Sequence, residues 1–411
     1  MLDKFEKKIN SLGIFWEGEQ WGGVDTLLYN LINTDTFKKT KVVIFTNKNN
    51  MGAQRLEKNL NNNEINFVYF NSLLTITSNS LFIKIFLSLI KPIFFLVSIL
   101  QFYFLLRKHK FEVFMGMCGG YGDFRSEMAS IFVAKFLGFP LRTLVICHAC
   151  VKPIFWNTLL NLINNFLSKS LTSVISISKA TRDTVFNKSN LLDRSSDLKD
   201  LIIHCGVPIY QKNIEQKDLN SLIYKENSDI FLLGMLSRIE SYKGHMDLIK
   251  GFCKLPKKIQ NKLKIYFIGS GNTEEVKALK RLINIQKVEK YFIFTGYIDY
   301  KSTLILSKLD LLLSLTRTFE GFGLSVVEAM SVGTPVIATK VGATTEILNQ
   351  ENSTLIDASN IEQITNALND FVENNESWNS KAKVAKNTMM QKFSSELMAK
   401  NYFNHFIENL F

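Results

Sequence analysis

The chain has 411 residues, a formal net charge of +12 and a hydrophobic fraction of 46%. This length suffices for two domains of ordinary size, each with a full core. The first ten residues are charged throughout, which excludes a typical signal peptide, and an odd number of cysteines favours a reducing cytoplasm. Cys147 and Cys150 form a C-x-x-C pair, but no second pair accompanies them, so a zinc or redox site is not favoured.

The first half alternates short apolar runs with helical stretches. The runs lie at residues 12–15, 42–45, 67–70, 113–115, 144–146 and 174–177. This rhythm predicts a parallel sheet covered by helices on both faces. Gly22 and Gly23 lie in the turn after the first run. Paired glycines there would let backbone amides approach a phosphate or a sugar, and a plain tight turn is the alternative.

The most apolar stretch is Leu81–Leu106. Pro92 is predicted to break it, and the remainder, Ile93–Leu106, is shorter than the roughly 20 residues that span a bilayer. A narrow polar stripe at helical spacing consists of Lys84, Ser88, Lys91 and Ser98. Two interpretations stay open, a helix in the membrane interface and a helix pair buried against the first sheet. Both hold if one face packs and the other inserts.

The positive charge is concentrated in two stretches without Asp or Glu, residues 65–111 and 128–182. Such a basic region favours an anionic partner, namely acidic lipid headgroups, a lipid-linked diphosphate or nucleic acid. Compositional drift would explain the lysines but less readily the missing acids. Because the basic residues lie in apolar helical stretches and not in exposed aromatic arrays, we expect no nucleic-acid partner.

The second half repeats the rhythm after a polar, charged connection at 209–228. Its apolar runs lie at residues 230–233, 265–268, 292–294, 311–315, 336–338 and 354–356. The predicted fold class is therefore α/β, with Rossmann-like domains over 1–208 and 229–394. Two such domains would face each other across a cleft at the carboxyl ends of their strands, where ligands bind.

Residues 311–338 indicate a strand, a glycine turn, a helix and a second strand. Gly321 and Gly323 allow a tight turn, and helical spacing begins at Leu324. Gly333 and Pro335 end that helix. A helix that begins after a glycine turn presents free N–H groups to an anion, so this turn is a candidate phosphate site.

Two glutamates flank that turn from different depths. Glu320 precedes the helix, and Glu328 lies about one and a half turns inside it. This segment, T-F-E-G-F-G-L-S-V-V-E-A-M-S-V-G-T-P-V-I-A-T, resembles the signature of the retaining nucleotide-sugar glycosyltransferases of GT-B architecture, family 4. The resemblance implies that Glu320 is a catalytic residue that contacts the sugar hydroxyls, and that Glu328 holds the ribose hydroxyls. It also adds four residues to the site that binds the sugar and nucleotide, namely Gly321, Phe322, Gly323 and Leu324.

The resemblance also assigns the diphosphate site. Arg238 follows the first strand of the second half, and Lys243 comes five residues later. Cations there would stabilise the negative charge of a leaving nucleotide diphosphate. In the family, this Arg and Lys hold the diphosphate, and a Gly-Gly turn like Gly22-Gly23 faces the donor phosphate across the cleft.

A histidine completes the candidate catalytic residues. His148 ends the run L-V-I-C-H, and a side chain at the carboxyl end of a strand points into the cleft. It resembles the family's cleft histidine, which contacts the transferred sugar, although Ala149 stands where the family often has Asp. Glu17, Glu19 and Asp25 lie near the glycine turn and could contact acceptor hydroxyls, but nothing in the sequence selects among them.

Two further features come from the resemblance. The Gly342-Ala343 loop is similar to a family loop in which a second glycine is common at the position of Ala343. The family's last helix crosses back to the first domain, and here it would be residues 395–411.

The resemblance implies a retaining glycosyltransferase. Its donor would be a nucleotide diphosphate sugar, and its acceptor a saccharide or lipid-linked molecule in cell-envelope polysaccharide or lipopolysaccharide synthesis. No D-x-D triplet occurs, so we expect metal-independent catalysis with no cofactor besides this co-substrate. We expect a cytoplasmic location, peripheral on an anionic inner membrane surface. The alternatives are a non-catalytic protein of the same fold that binds a membrane surface or partner, and a nucleotide-sugar epimerase.

Overall fold

Two parallel β-sheets organise the chain, one in each of two units. The computed structural model describes residues 8–18, 22–60, 62–74, 80–153, 155–192, 198–210, 219, 222–225, 227–298 and 301–411. The N-terminal unit comprises Met1–Gly206 and Ser395–Phe411, and the C-terminal unit comprises Val207–Ser394. Most of the predicted connection at 209–228 lies outside the described residues.

The N-terminal sheet has seven parallel strands in the order β3-β2-β1-β4-β5-β6-β7. The strands are β1 (Ser11–Trp16), β2 (Lys41–Asn47), β3 (Ile65–Phe70), β4 (Val113–Cys118), β5 (Leu141–Ile146), β6 (Ser173–Ser176) and β7 (Lys199–Ile202). Central strands such as β4 are buried on both faces, which explains their continuous apolar sequence. The sequence did not predict β7, because Lys199 and Asp200 interrupt the apolar pattern of this edge strand.

Seven helices of the described residues belong to this unit. They are α1 (Gly23–Ile32), α2 (Met51–Asn59), α3 (Leu81–Leu106), α4 (Ser126–Phe136), α5 (Asn157–Ser168), α6 (Lys179–Lys188) and the last helix of the chain, α15 (Ser395–Leu410). The last helix packs against α1 and β5. There, the His405 ring lies 2.9 Å from the Ser173 hydroxyl.

The C-terminal sheet has six parallel strands in the order β10-β9-β8-β11-β12-β13. Its strands are β8 (Phe231–Leu236), β9 (Leu263–Ile268), β10 (Phe292–Gly296), β11 (Leu311–Ser314), β12 (Val336–Thr339) and β13 (Thr354–Ile356). Each predicted run of the second half is a strand. This is the Rossmann order, which reverses direction between β8 and β11, and ligands bind at the carboxyl edge of such a switch point.

The described helices of the C-terminal unit cover this sheet. They are α7 (His245–Cys253), α8 (Lys257–Gln260), α9 (Thr273–Ile285), α10 (Ser302–Leu306), α11 (Leu324–Val332), α12 (Thr344–Ile347), α13 (Ile361–Glu373) and α14 (Asn375–Lys392). The predicted helix from Leu324 to the Gly333 turn is confirmed as α11.

Helix α3 corrects the predicted break at Pro92. The helix continues through Pro92 from Leu81 to Leu106, so it is neither a helix pair nor a short helix. A proline inside a helix lacks the N–H that would bond the carbonyl four residues earlier, at Ser88. In the structure, the indole N–H of Trp156 donates to that Ser88 carbonyl at 3.2 Å. A donor distant in sequence therefore replaces the missing helical hydrogen bond.

The two faces of α3 differ sharply. Phe95, Ser98 and Phe102 are buried in the core of the unit, so the polar stripe faces the interior at Ser98. The outward face carries exposed apolar side chains at helical spacing, namely Phe82, Phe86, Leu89, Ile93, Leu96 and Leu100. By length and composition Phe82–Leu106 could cross a membrane, and only 11% of its most apolar window is buried. One face thus packs while the other is open to a partner.

Candidate functional site

Arg238 lies at the switch point of the C-terminal sheet, directly after β8. The neighbouring turn after β9 fixes its backbone, because the Ile239 N–H donates to the Ser270 carbonyl at 2.8 Å. The Arg238 guanidinium pairs with the Glu240 carboxylate at 2.8 Å, and the Arg238 side chain is 56% exposed. The cation predicted to bind diphosphate is therefore accessible at the carboxyl edge of the sheet.

Lys243 and Glu320 form an ion pair at the same edge. The Lys243 ammonium donates to Glu320 Oε2 at 2.8 Å, and the Thr316 hydroxyl donates to the same oxygen at 3.0 Å. The two charged side chains are 17% and 18% exposed. The segments that follow β8 and β11 thus meet through the residues predicted to contact diphosphate and sugar. The sequence did not indicate that these residues pair with each other.

The loop after β12 holds Glu320 by its backbone. The Ala343 N–H donates to the Glu320 carbonyl at 2.9 Å. Gly342 has a φ of 55°, and a Cβ at this position would lie 2.7 Å from the Glu320 nitrogen and against its carbonyl oxygen. Only glycine therefore fits between this loop and Glu320.

The predicted glycine turn opens α11. Gly323 has a φ of 92° and precedes the first helical residue, Leu324, which is half-buried. Gly321 is buried, and the Phe322 side chain is 3% exposed with its ring 5.9 Å from the ring of Phe393. The Phe322 side chain belongs to the interior, so only its main chain is available to a ligand.

Glu328 is a buried carboxyl on α11, with 8% of its surface exposed. Burial raises its pKa to about 7, and a contact with the Ser302 hydroxyl on α10 partly opposes that rise. A carboxyl with this pKa, close to the carboxyl edge of the sheet, is a typical binding-site group. The sequence placed Glu328 within the helix but did not predict its burial.

A second ion pair supports the loop that carries Glu320, and sequence reasoning missed it. Arg317 donates to both carboxylate oxygens of Asp247, at 2.6 and 2.7 Å. Asp247 is 4% exposed on α7, and its contact raises the Arg317 pKa. The Arg317 N–H also donates to the Tyr242 carbonyl at 2.7 Å. These bonds tie the loop after β11 to the segment that contains Lys243.

In the N-terminal unit, Gly22 and Gly23 lie at the start of α1. The Gly22 N–H donates to the carboxylate of Asp25, which is 3% exposed. Burial raises the Asp25 pKa to about 7, with the Gly22 bond opposing it. Asp25 therefore caps the helix from inside the unit, where it is not placed to contact an acceptor. Glu19 lies outside the described residues.

His148 is exposed just beyond the end of β5. Gly120, in the loop after β4, lies near both His148 and Arg125. A Cβ at Gly120 would be 3.8 Å from His148 Cβ and 3.9 Å from Arg125 Nη2. The fold therefore brings both His148 and Arg125 close to Gly120, and the sequence reasoning had not singled out Arg125.

Glu17 belongs to a polar cluster next to Arg125. Burial, and then the neighbouring carboxyl of Glu127, raise the Glu17 pKa to about 8. Glu127 is 2% exposed, and burial raises its pKa also. Of the three candidate acceptor contacts, Glu17 alone is seen half-buried at the carboxyl edge of a strand, at the end of β1. Glu127 escaped the sequence reasoning because it lies in an apolar helix.

The C-x-x-C pair consists of free, buried thiols. Burial raises the pKa of both Cys147 and Cys150, so both are protonated near neutrality. Within the described residues, no three His, Cys, Asp or Glu side chains lie close enough together to hold a metal ion.

The C-terminal unit matches a known family. Residues 216–389 match the family model described as glycosyl transferases group 1. That range includes Arg238, Lys243, Glu320 and Glu328. This unit is therefore similar to the glycosyl transferases group 1 family, which confirms the resemblance inferred from the glutamate segment.

Solved structures show the same fold over almost the whole chain. The Anabaena protein HepE, solved in complex with UDP, matches with a TM-score of 0.73 and 17% identity over 97% of this chain and 99% of that one. Such low identity supports the fold alone. The fold, with two Rossmann-like α/β domains, is the GT-B architecture.

Curated relatives match over shorter ranges. An uncharacterized glycosyltransferase of Methanocaldococcus jannaschii is 25% identical over 58% of this chain and 59% of its own length. Poly(glycerol-phosphate) alpha-glucosyltransferase of Bacillus subtilis is 30% identical over 37% of this chain and 22% of its own length. The chain thus spans less than two thirds of these relatives.

Proposed function

We propose that the protein is a retaining glycosyltransferase that moves a sugar from a nucleotide diphosphate sugar to a saccharide or lipid-linked acceptor. The observation that carries this proposal is the Lys243–Glu320 pair at the switch point of the C-terminal sheet. UDP in HepE supports a nucleotide donor, and the name of the Bacillus relative supports transfer of a sugar to a glycerol phosphate polymer. We therefore propose a role in cell-envelope polysaccharide or lipopolysaccharide synthesis.

The leaving group determines the roles of the two cations. When the bond between the sugar and the diphosphate breaks, negative charge develops on the phosphate oxygens. Arg238 can donate to two of these oxygens at once, and Lys243 adds a point charge. Both cations stabilise the transition state more than the ground state, because the charge is largest there. In the Gly22-Gly23 turn of the N-terminal unit, the amide left to approach a phosphate would be that of Gly23, because the Gly22 N–H already donates to Asp25.

Retention follows from attack on the face that the diphosphate leaves. The acceptor hydroxyl forms the new bond to the anomeric carbon, and the departing phosphate oxygen takes its proton, so no separate base is needed. Glu320 would position the sugar through its hydroxyls, His148 would contact the same sugar, and Glu328 would hold the ribose. The Gly321–Leu324 turn would approach the donor through its main chain.

The donor class can be tested by thermal stabilisation. A nucleotide present at 100 times its dissociation constant should stabilise the fold by about 2.7 kcal/mol. We expect one of UDP, GDP or ADP, with its sugars, to raise the melting temperature, and the shift to shrink in Glu328→Gln. No shift for any of them in a folded sample would contradict the proposal. Turnover without acceptor to an isomeric nucleotide sugar would instead indicate an epimerase.

We predict that transfer does not need a divalent metal. Arg238, Lys243 and the N-terminus of α11 supply positive potential for the diphosphate. Turnover measured as nucleotide release is therefore expected to be unchanged in excess chelator. Complete loss in chelator, restored by added Mg²⁺ or Mn²⁺, would contradict this prediction.

Donor affinity is expected to depend on pH through Glu328. Its pKa of about 7 means that the neutral carboxyl predominates in more acidic solution. Two ribose hydroxyls donate best to the ionised form. Affinity for UDP-glucose, whose diphosphate does not titrate near neutrality, should weaken below pH 7 by up to about tenfold per pH unit. Isothermal titration calorimetry at several pH values would measure this affinity for UDP-glucose.

Glu328→Gln provides the control for this pH dependence. The variant should bind more weakly, with an affinity that stays flat across the same pH range. Because folding raises the pKa of Glu328, its contribution to stability is present in acid and lost as the pH rises through about 7. The unliganded variant should therefore melt at a higher temperature than the wild type. This difference in melting temperature should be larger at about pH 8 than at about pH 5. A pH profile identical to wild type would contradict the assignment.

The outward face of α3 suggests where the enzyme works. Contiguous exposed apolar side chains of this kind mark interaction surfaces, and Lys84 is exposed on the same helix. We propose that this face lies on the anionic inner surface of the cytoplasmic membrane, with phenylalanines inserted and lysines at the headgroups. The protein would then be cytoplasmic and peripheral.

A further inference from the structure

An apolar groove lies between α3, α4 and α5 of the N-terminal unit. Its volume is about 440 Å³, within the range of small-molecule sites. Its wall is formed mainly by Pro92, Phe95, Ile99, Phe124, Phe132 and Ile163. Phe95 and Phe124 are almost fully buried at its base. The groove is therefore a preformed apolar site at the edge of the hydrophobic core.

The groove opens onto the surface that we propose lies on the membrane. Leu96 and Phe166 line it and are 66% and 58% exposed. Leu96 also belongs to the outward apolar face of α3, so groove and face are continuous. A hydrocarbon chain could pass from the bilayer into the groove without crossing a polar surface.

Two lysines give the groove a charged rim. Lys135 of α4 and Lys169 at the end of α5 are exposed and line it. The Lys135 ammonium donates to the Lys169 carbonyl at 2.7 Å, which holds it at this position. Among the described residues that line the groove there is no Asp or Glu. An apolar groove with a cationic rim complements a molecule that has one long hydrocarbon chain and an anionic head.

We propose that this groove binds one hydrocarbon chain of a phosphate-bearing membrane lipid, with its phosphate at Lys135 and Lys169. The inference rests on the proposed function and deepens it, because it selects a lipid-linked acceptor over a free saccharide. The bound chain would fix the acceptor in the N-terminal unit, while the sugar-accepting end stays outside the groove.

The test uses a single-chain phosphatidylglycerol with a pyrene label on its chain, below its micelle concentration. We expect saturable binding to the wild-type chain at one site, measured by pyrene fluorescence. Ile163→Trp fills the groove and should abolish binding. The double variant Lys135→Glu/Lys169→Glu, which changes only exposed side chains, should weaken binding by about tenfold or more while the fold is retained.

A matched control separates the groove from the membrane face. Phe82→Ser/Phe86→Ser removes exposed apolar side chains of α3 outside the groove lining. This variant should bind the pyrene lipid as the wild type does, but should bind less to vesicles that contain phosphatidylglycerol. Absence of saturable binding to the wild type, or equal loss in the control variant, would overturn the proposal. Thermal stabilisation by nucleotide in the same samples reports the proposed function separately.

Discussion

Replacing Glu320 with Gln is expected to reduce sugar transfer by at least about 100-fold, the scale of losing one transition-state contact in an active site. The Glu320 carboxylate is fixed by Lys243 and Thr316, and an amide cannot keep the ion pair. Its proposed role concerns the sugar and not the nucleotide. The variant should therefore bind nucleotide at least as tightly as the wild type, because Lys243 loses its competing carboxylate.

Two assays on one protein preparation measure this effect. Nucleotide release with a membrane fraction as acceptor source reports transfer, and thermal stabilisation by the nucleotide reports binding. Glu351→Gln changes an exposed carboxylate of the same unit and should leave both values unchanged. Loss of nucleotide binding in Glu320→Gln, or retention of transfer, would contradict the assigned role.

Gly342→Ala is expected to reduce sugar transfer by displacing Glu320, although Gly342 itself is not proposed to contact the substrate. The new methyl group would press on the backbone of Glu320, so the loop after β12 and the carboxylate must separate. A displacement of about 1 Å near a reacting centre costs on the order of 100-fold in rate. Transfer should fall by about this factor, while Lys243 and Arg238 still bind nucleotide.

Gly296→Ala is the matched control for Gly342→Ala. Gly296 has a similar φ, 68°, but nothing lies within 4 Å of an added Cβ. Gly296→Ala should lower the stability by only about 1–2 kcal/mol, the cost of an alanine in the left-handed backbone conformation. Thermal melts and turnover at saturating donor distinguish the two effects. Equal losses of turnover would show that steric displacement of Glu320 is not the cause.

Much of the fold follows from short-range sequence patterns. The apolar runs of the C-terminal half correspond to six parallel strands, and Gly323 and Gly333 bound α11 as predicted. These signals are local, because glycine conformation and strand burial depend on neighbouring residues. The same reasoning failed at Pro92, because the donor for Ser88 comes from Trp156, which no local pattern connects to it.

The candidate site shows the same division. The sequence predicted that Glu320 lies on a turn and Glu328 on a helix. It did not predict the Lys243–Glu320 ion pair or the burial that raises the Glu328 pKa. Asp247, which binds Arg317, comes from a helix 70 positions away. Such contacts depend on how strands are ordered in the sheet, and the motif alone does not specify them.

The Lys243–Glu320 pair also bears on the release of product. A diphosphate that binds Lys243 must displace part of an existing contact with a half-buried carboxylate. In the proposed mechanism, the nucleotide would therefore be held less tightly than by an unpaired lysine, and after transfer the carboxylate would reclaim the ammonium as the nucleotide departs. If Lys243 binds the diphosphate as proposed, this ion pair would shorten the lifetime of the product complex and favour turnover over tight binding.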